Sequence, residues 1–290
     1  MLSIVLAVIA TARISSAQAA QSGDWSAVEL ALGRKGVSQP GNVIKFSFPR
    51  SDLEVTVAGV VLKPAFALGS WVAFKRAGAQ TVAMGDLVLA ETEVRPVMTR
   101  LQAGGVEQTA LHNHGLGEMP RVMYLHIAAR GDASKIATAI YDALRLTGTP
   151  LGAPAAPATQ AAIELDTTAV ARELGTAGKV NGGVYQVSVP RAHKVMEHGM
   201  EVPPAMGVAT AINFQPTGKG KAAITGDFVI TAEQVNPVIR ALTSHGIAVT
   251  ALHGHMLHEV PRLFFMHFWA NDDAVTLARG LRTALDAARR

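Results

Sequence analysis

The chain has 290 residues, 49% of them hydrophobic and 17% charged, which is enough apolar material for two compact domains and too much for a disordered polymer. Lys+Arg number 26 against 22 Asp+Glu, a net charge of +4 with no clustered basic run, and aromatics make up 5%, so no nucleic-acid partner is expected. Cysteine is absent, which removes disulfides, thiolate ligands and a lipid-bearing side chain, so no stable membrane anchor is expected either.

In chain order, an apolar run from Leu2 to Ala12 followed by Ala17-Gln18-Ala19 predicts a signal peptide over residues 1–19 and a periplasmic or secreted protein. Repeat one is read over 24–146, a Pro/Ala/Gly-rich linker over 147–164, and repeat two over 165–290. Ala27, Val28, Leu30 and Ala31 predict a short helix ended near Gly33. Val43 to Phe48, Val55 to Leu62, Trp71 to Phe74 and Leu87 to Ala90 read as strands. Val94, Val97, Met98 and Leu101 have helical spacing, closed by Gly104-Gly105. Val106 to His114 and Val122 to Ala128 are strands, and Asp132 caps a last helix. The fold class expected is α+β. Each repeat is an antiparallel sheet with helices on one face, and the β-α-β-β-α order of its C-terminal half is ferredoxin-like. Thr231 and Gln234 look like a capping box, which would set Pro237 inside a helix against its preference.

The second half repeats the polar residues of the first in register. Thr109-Ala110-Leu111-His112-Asn113-His114 returns as Thr250-Ala251-Leu252-His253-Gly254-His255, and Glu118, Arg121 and His126 return as Glu259, Arg262 and His267, all at one offset (253 − 112 = 141). Gly85-Asp86 and Pro49-Arg50 return as Gly226-Asp227 and Pro190-Arg191. A duplication that keeps ligand-type side chains points to chemistry rather than packing.

Side chains alternate along a strand, so His112 and His114 share a face, roughly 7 Å apart. A hairpin about the next loop sets Tyr124 and His126 beside them, opposite the apolar Met123, Leu125 and Ile127. Three imidazoles and a carboxylate suit a transition metal ion such as zinc, copper, manganese or iron. The metal ligands expected are His112, His114 and His126, and His253, His255 and His267. Because each repeat carries a complete set, two separate sites are favoured. Glu118 and Glu259 are candidates for a further ligand or a general base of a metal-dependent enzyme. Arg121 and Arg262 could clamp an anionic small molecule, or pair with those glutamates. The other readings are a non-catalytic metal carrier, a metal-free binding module for an anion, and a structural envelope protein. Beside its histidine set repeat two has an unmatched His258, and His193, Met196, His198, Met200 and Met206 lie close together in repeat two only; thioether and imidazole suit copper in that second group, but such methionines more often fill a core.

Gly226-Asp227-Phe228-Val229-Ile230, Val235-Asn236-Pro237-Val238, Thr250-Ala251-Leu252-His253 and Pro261-Arg262-Leu263-Phe264-Phe265-Met266-His267 together resemble the LppY/LpqO family of exported bacterial proteins. The resemblance covers nearly all of the chain after the signal segment. It implies export and this architecture, and no activity.

Overall fold

The computed structural model describes residues 24–152 and 162–289. The expected signal segment and the middle of the linker lie outside them. Repeat one runs α1 (Ser26–Leu32), β1 (Val37–Gln39), β2 (Val43–Pro49), β3 (Thr56–Val57), β4 (Val60–Val61), β5 (Gly69–Ala77), β6 (Gln80–Ala90), α2 (Val94–Ala103), β7 (Glu107–His112), β8 (Val122–Gly131) and α3 (Ala133–Leu144). Repeat two runs α4 (Thr167–Leu174), β9 (Lys179–Asn181), β10 (Val184–Pro190), β11 (Val195–Glu197), β12 (Met200–Val202), β13 (Ala209–Gly218), β14 (Lys221–Ile230), α5 (Ala232–Thr243), β15 (Ala248–His253), β16 (Glu259–Val260), β17 (Phe264–Asp273) and α6 (Ala274–Ala287).

Each repeat is a six-stranded antiparallel sheet, ordered β1-β2-β5-β6-β8-β7 in one and β9-β10-β13-β14-β17-β15 in the other. Helices cover one face, as the α+β reading expects. Leu87, Leu89, Leu125 and Ile127 meet Val97, Leu101, Ile136 and Ile140 of the helices. In repeat two, Phe228, Ile230, Met266 and Phe268 meet Val238, Leu242, Leu281 and Leu285. Asp132 accepts a hydrogen bond from the Lys135 amide and Asp273 from the Thr276 amide, satisfying N-terminal donors of α3 and α6. The Thr231/Gln234 capping box forms, and α5 runs on through Pro237, so the start signal and the packing of Val238 and Leu242 outweigh the proline.

The opposite faces of the two sheets turn toward each other, and each is covered by a segment of the other repeat. The segment 61–65 of repeat one lies on β10 and β13. The Lys63 amide donates to Gln215 Oε1 at 2.8 Å, Gln215 Nε2 donates to the Val61 carbonyl at 2.8 Å, and Gln186 Nε2 donates to the Ala65 carbonyl at 2.8 Å. In return Lys75 Nζ donates to the Glu201 carbonyl at 2.7 Å, and Met200, Val202 and Met206 pack with Val43, Ala73 and Met84. Met200 and Met206 are therefore core. Two expectations change here. The alternation from Val55 to Leu62 is broken by a turn at Ala58-Gly59, leaving the short hairpin β3–β4. The strand expected to reach His114 stops at His112.

Gly85 and Gly226 have a steric reason. A Cβ on Gly226 would lie 2.0 Å from the Ala211 carbonyl oxygen, and one on Gly85 2.7 Å from that of Trp71. Both obstacles are backbone of a neighbouring strand and cannot swing aside. Gly226→Ala is expected to cost about 1–3 kcal/mol or more by overpacking. Thermal unfolding checks it, and an unchanged midpoint would contradict the close approach.

Candidate metal centre

The edge strands β7 and β15 each carry a register shift, between Gln108 and Ala110 and between Val249 and Ala251. A bulge leaves one residue out of the ladder and re-aims its side chain. The residues left out are Thr109 and Thr250, and both reach across the repeat boundary. Thr109 Oγ1 donates to the His255 carbonyl at 2.6 Å, and the Thr250 hydroxyl donates to the His114 carbonyl. Each His-x-His segment is thus fastened by the other repeat. His126 and His267 come from β8 and β17, directly opposite Asp86 on β6 and Asp227 on β14.

This arrangement brings all six histidines into one cluster between the sheets, not the two separate sites favoured from sequence. His112 stacks on His253 with ring centroids 3.5 Å apart, His114 on His267 at 3.8 Å, and His126 on His255 at 3.6 Å. Every pair takes one ring from each repeat, so the cluster follows the symmetry of the duplication. Tyr124 closes one side against His114 and Phe265 the other against His255, at 3.2 and 3.4 Å. Ligand nitrogens of His112, His253, His255 and His267 all lie within 4.8 Å of one another. Around a tetrahedral ion with bonds of roughly 2.0–2.1 Å, such nitrogens stand about 3.4 Å apart, so a small contraction suffices.

The protonation pattern suits a metal. Nδ1 of His112 meets the Asn113 carbonyl at 3.0 Å, Nδ1 of His253 the Gly254 carbonyl at 3.1 Å, and Nδ1 of His267 the Gly226 carbonyl at 2.8 Å. A carbonyl only accepts, so Nδ1 carries the proton and Nε2 keeps its lone pair, as in metal-ligating histidines held by backbone. Nε2 of His112, His126, His253, His255 and His267 is buried without a hydrogen-bond partner. Burial pushes His112 down to about 3 and His253 to about 4, and holds the other four well below 6.5. The imidazoles are therefore neutral at pH 7, the form that binds metal.

Two carboxylates absent from the sequence-derived set belong to this cluster. Asp227 Oδ2 lies 3.5 Å from His255 Nε2, and Asp86 Oδ1 lies 3.9 Å from His126 Nε2. Asp86 Oδ1 and Asp227 Oδ1 are buried without a partner. Burial lifts Asp86 to about 7, with Lys45 opposing, and lifts Asp227 well above the usual carboxylate range. The signal lies in the sequence: Gly85-Asp86 returns as Gly226-Asp227 inside otherwise apolar strands.

Glu259 is occupied with its own loop and Glu118 by one oxygen, its Oε2 being buried without a partner. Glu118 Oε1 accepts from the Gly115 amide at 2.6 Å, and Glu259 Oε1 from the Leu263 amide at 3.0 Å. Glu259 Oε2 pairs with Arg262 at 3.3 Å, and the same guanidinium donates to the Met256 and Leu257 carbonyls. Arg121 is exposed. Of the residues predicted from sequence, the histidines come together, while Glu259 and Arg262 are bonded to each other and to their loop.

Acid should unfold the metal-free protein early. An imidazole whose folded pKa lies below its unfolded value of 6.5 favours the folded state above 6.5, and that stability is lost as pH falls toward 4 and 3. Asp86, Glu118, Glu197 and Asp227 act oppositely, because their raised folded values favour folding at low pH and lose stability as pH rises, toward 7 for Asp86 and Glu118. Six imidazoles outnumber four carboxyls, so the urea midpoint should fall steadily between pH 6.5 and 4. A midpoint that stayed level or rose toward acid would contradict six buried neutral rings.

A family profile described as Domain of Unknown Function (DUF1259) matches the chain twice, over residues 26–146 and 168–287. No curated relative matches. Among solved structures, the chain is similar to the trimeric bacterial microcompartment shell protein PduB, at 14% identity over 87% of this chain and 89% of that one, with a TM-score of 0.22. It is also similar to the double ringed trimeric shell protein MSM0271 from the RMM microcompartment, at 13% identity over 73% and 84%, with a TM-score of 0.20. Superpositions this poor support no statement about this chain.

Proposed function

We propose, for a chain that belongs to the DUF1259 domain family and carries that domain twice, that its role is to bind a transition metal ion at the junction of its two repeats. The observation that carries this reading is the group of four imidazole nitrogens within 4.8 Å of one another, drawn from both repeats. Buried, unpartnered Nε2 lone pairs on all four support it, as do the backbone carbonyls that hold Nδ1 of three of them. A nitrogen-rich set with nearby carboxylates fits zinc or copper, with manganese or iron as the alternatives, and disfavours magnesium and calcium. Bound there, the ion would act as a Lewis acid toward an oxygen ligand. Asp86 and Asp227 lie beside histidine Nε2 atoms, which supports them over Glu259 as the carboxylates near the ion, available as further ligands or as proton acceptors. The pairing of Arg262 with Glu259 and loop carbonyls weighs against the anion-clamp reading.

Elemental analysis of the purified protein after dialysis against a weak chelator tests the proposal. Near-stoichiometric transition metal is expected. Failure to hold any of zinc, copper, manganese or iron after reconstitution would overturn it. The likeness to LppY/LpqO proteins and the Ala17-Gln18-Ala19 segment support export as part of the same reading. N-terminal sequencing from the producing cell should then find a start near Ala20 or Gln21, and retention of Met1 would rule export out.

A further inference from the structure

Strand β11, the turn after it and the loop before β16 bring together three donors that the interface cluster does not use. Glu197 ends β11 and lies opposite Glu259 in register. His198 follows in a two-residue turn with Gly199, at φ 46 and 75. The His198 ring is 4.8 Å from the His258 ring, and His198 Nε2 is 3.9 Å from Glu197 Oε1. Glu197 Oε2 is buried with no hydrogen-bond partner. Glu259 is already engaged by Arg262 and the Leu263 amide, so it offers Glu197 no donor and adds cross-strand repulsion.

Repeat one builds the same corner from none of these groups. Its β3–β4 turn is Ala58-Gly59, at φ 48 and 81, so Val57 stands where Glu197 does and Ala58 where His198 does. Gly117 answers His258 at the common offset (258 − 117 = 141). Val57 is buried in an apolar cluster. The fold therefore makes this corner with small or apolar residues, and a half-sunk carboxylate beside the His198 imidazole is an addition that costs stability unless a cation meets it.

We propose that Glu197, His198 and His258 form a second, solvent-facing site for a borderline divalent transition metal ion of the zinc or copper(II) kind, distinct from the interface cluster. Two imidazoles and one carboxylate are a familiar donor set for such ions, and they leave coordination positions to water. The His198 side chain is 56% exposed, so the ion enters from solution without opening the fold.

Zinc titration of the full chain, read by calorimetry and by the imidazole signals in long-range nitrogen NMR, tests this. The wild type should show a weaker class of site beside the tight interface class. His198→Ala with His258→Ala should remove that class completely, and Glu197→Gln should weaken it about 10- to 100-fold. Small residues at Ala58 and Gly117 show that the corner tolerates these changes. Signals of His198 and His258 should still shift with zinc in His253→Ala with His267→Ala. If they stay fixed, or if the stoichiometry is the same in the His198/His258 variant, the site does not exist. A wild type that binds one equivalent lost only in that variant would uphold this site and sink the interface reading. One equivalent that survives it would do the reverse.

Discussion

His253→Ala combined with His267→Ala is expected to lower tight metal affinity by roughly a thousandfold or more while the fold persists. The variant removes two of the four converging nitrogens, and the two remaining ligands come from opposite repeats. Loss of a group that merely orients a ligand typically costs 10- to 100-fold, so loss of two ligands should exceed that. Stability should change far less than affinity, because each removed ring takes with it a buried Nε2 that had no partner. Asp227→Asn should fall between, at about 10- to 100-fold, since Asp227 sits beside His255 and His267. Glu259→Gln should leave affinity nearly intact and loosen the loop. Equilibrium competition with a coloured chelator separates these outcomes. Equal losses for Asp227→Asn and Glu259→Gln would mean that the wrong carboxylate has been assigned.

The largest stability effect is expected at Arg50, outside the histidine cluster. Its side chain is fully buried. Nε and Nη2 donate to Asp52 at 2.9 and 2.8 Å, both terminal nitrogens donate to Glu93, at 2.8 and 3.1 Å, and Nη1 also donates to the Val88 carbonyl at 2.6 Å. Glu93 in turn accepts from the Ala90 and Gly148 amides, so the guanidinium joins β2, the start of α2 and the end of repeat one. Breaking a buried ion network from one side leaves uncompensated charge and costs about 3–5 kcal/mol. Arg50→Met should therefore lower the urea midpoint sharply. The matching Arg191 donates to the Val229 carbonyl, its Nε has no partner, and Arg191→Met should cost clearly less. Similar losses at both positions would contradict the network.

The duplication, the helix-covered face and the grouping of the histidines were legible in the sequence because each is written in local periodicity. Leu125 and Ile127 alternate with Tyr124 and His126, and the sheet separates them as that alternation requires. His112 does pair with Tyr124 across the hairpin. The meeting of the two histidine sets was not legible. It depends on docking of two sheets, which no single strand encodes. Asp86 and Asp227 were visible only as matched letters, because a lone acid in an apolar strand acquires its role from the strand opposite. The bulges at Thr109 and Thr250 escaped for a similar reason, since one unpaired residue leaves alternation on either side unchanged. Glu259 looked like a ligand because its type fits, whereas Arg262 and the Leu263 amide engage both its oxygens, the pairing that was the other reading of Arg262.

A cluster of six histidines built equally from two copies of one unit lies where a rotation axis would run if those units were separate chains. In a true dimer every change is made twice, and any new donor appears on both sides. Joining the copies in one polypeptide lifts that restriction. One half can keep Val57, Ala58 and Gly117 as plain packing while the other acquires Glu197, His198 and His258. The shared centre stays under the discipline of symmetry, because each half holds the other's histidine loop through Thr109 and Thr250. The periphery is free to diverge.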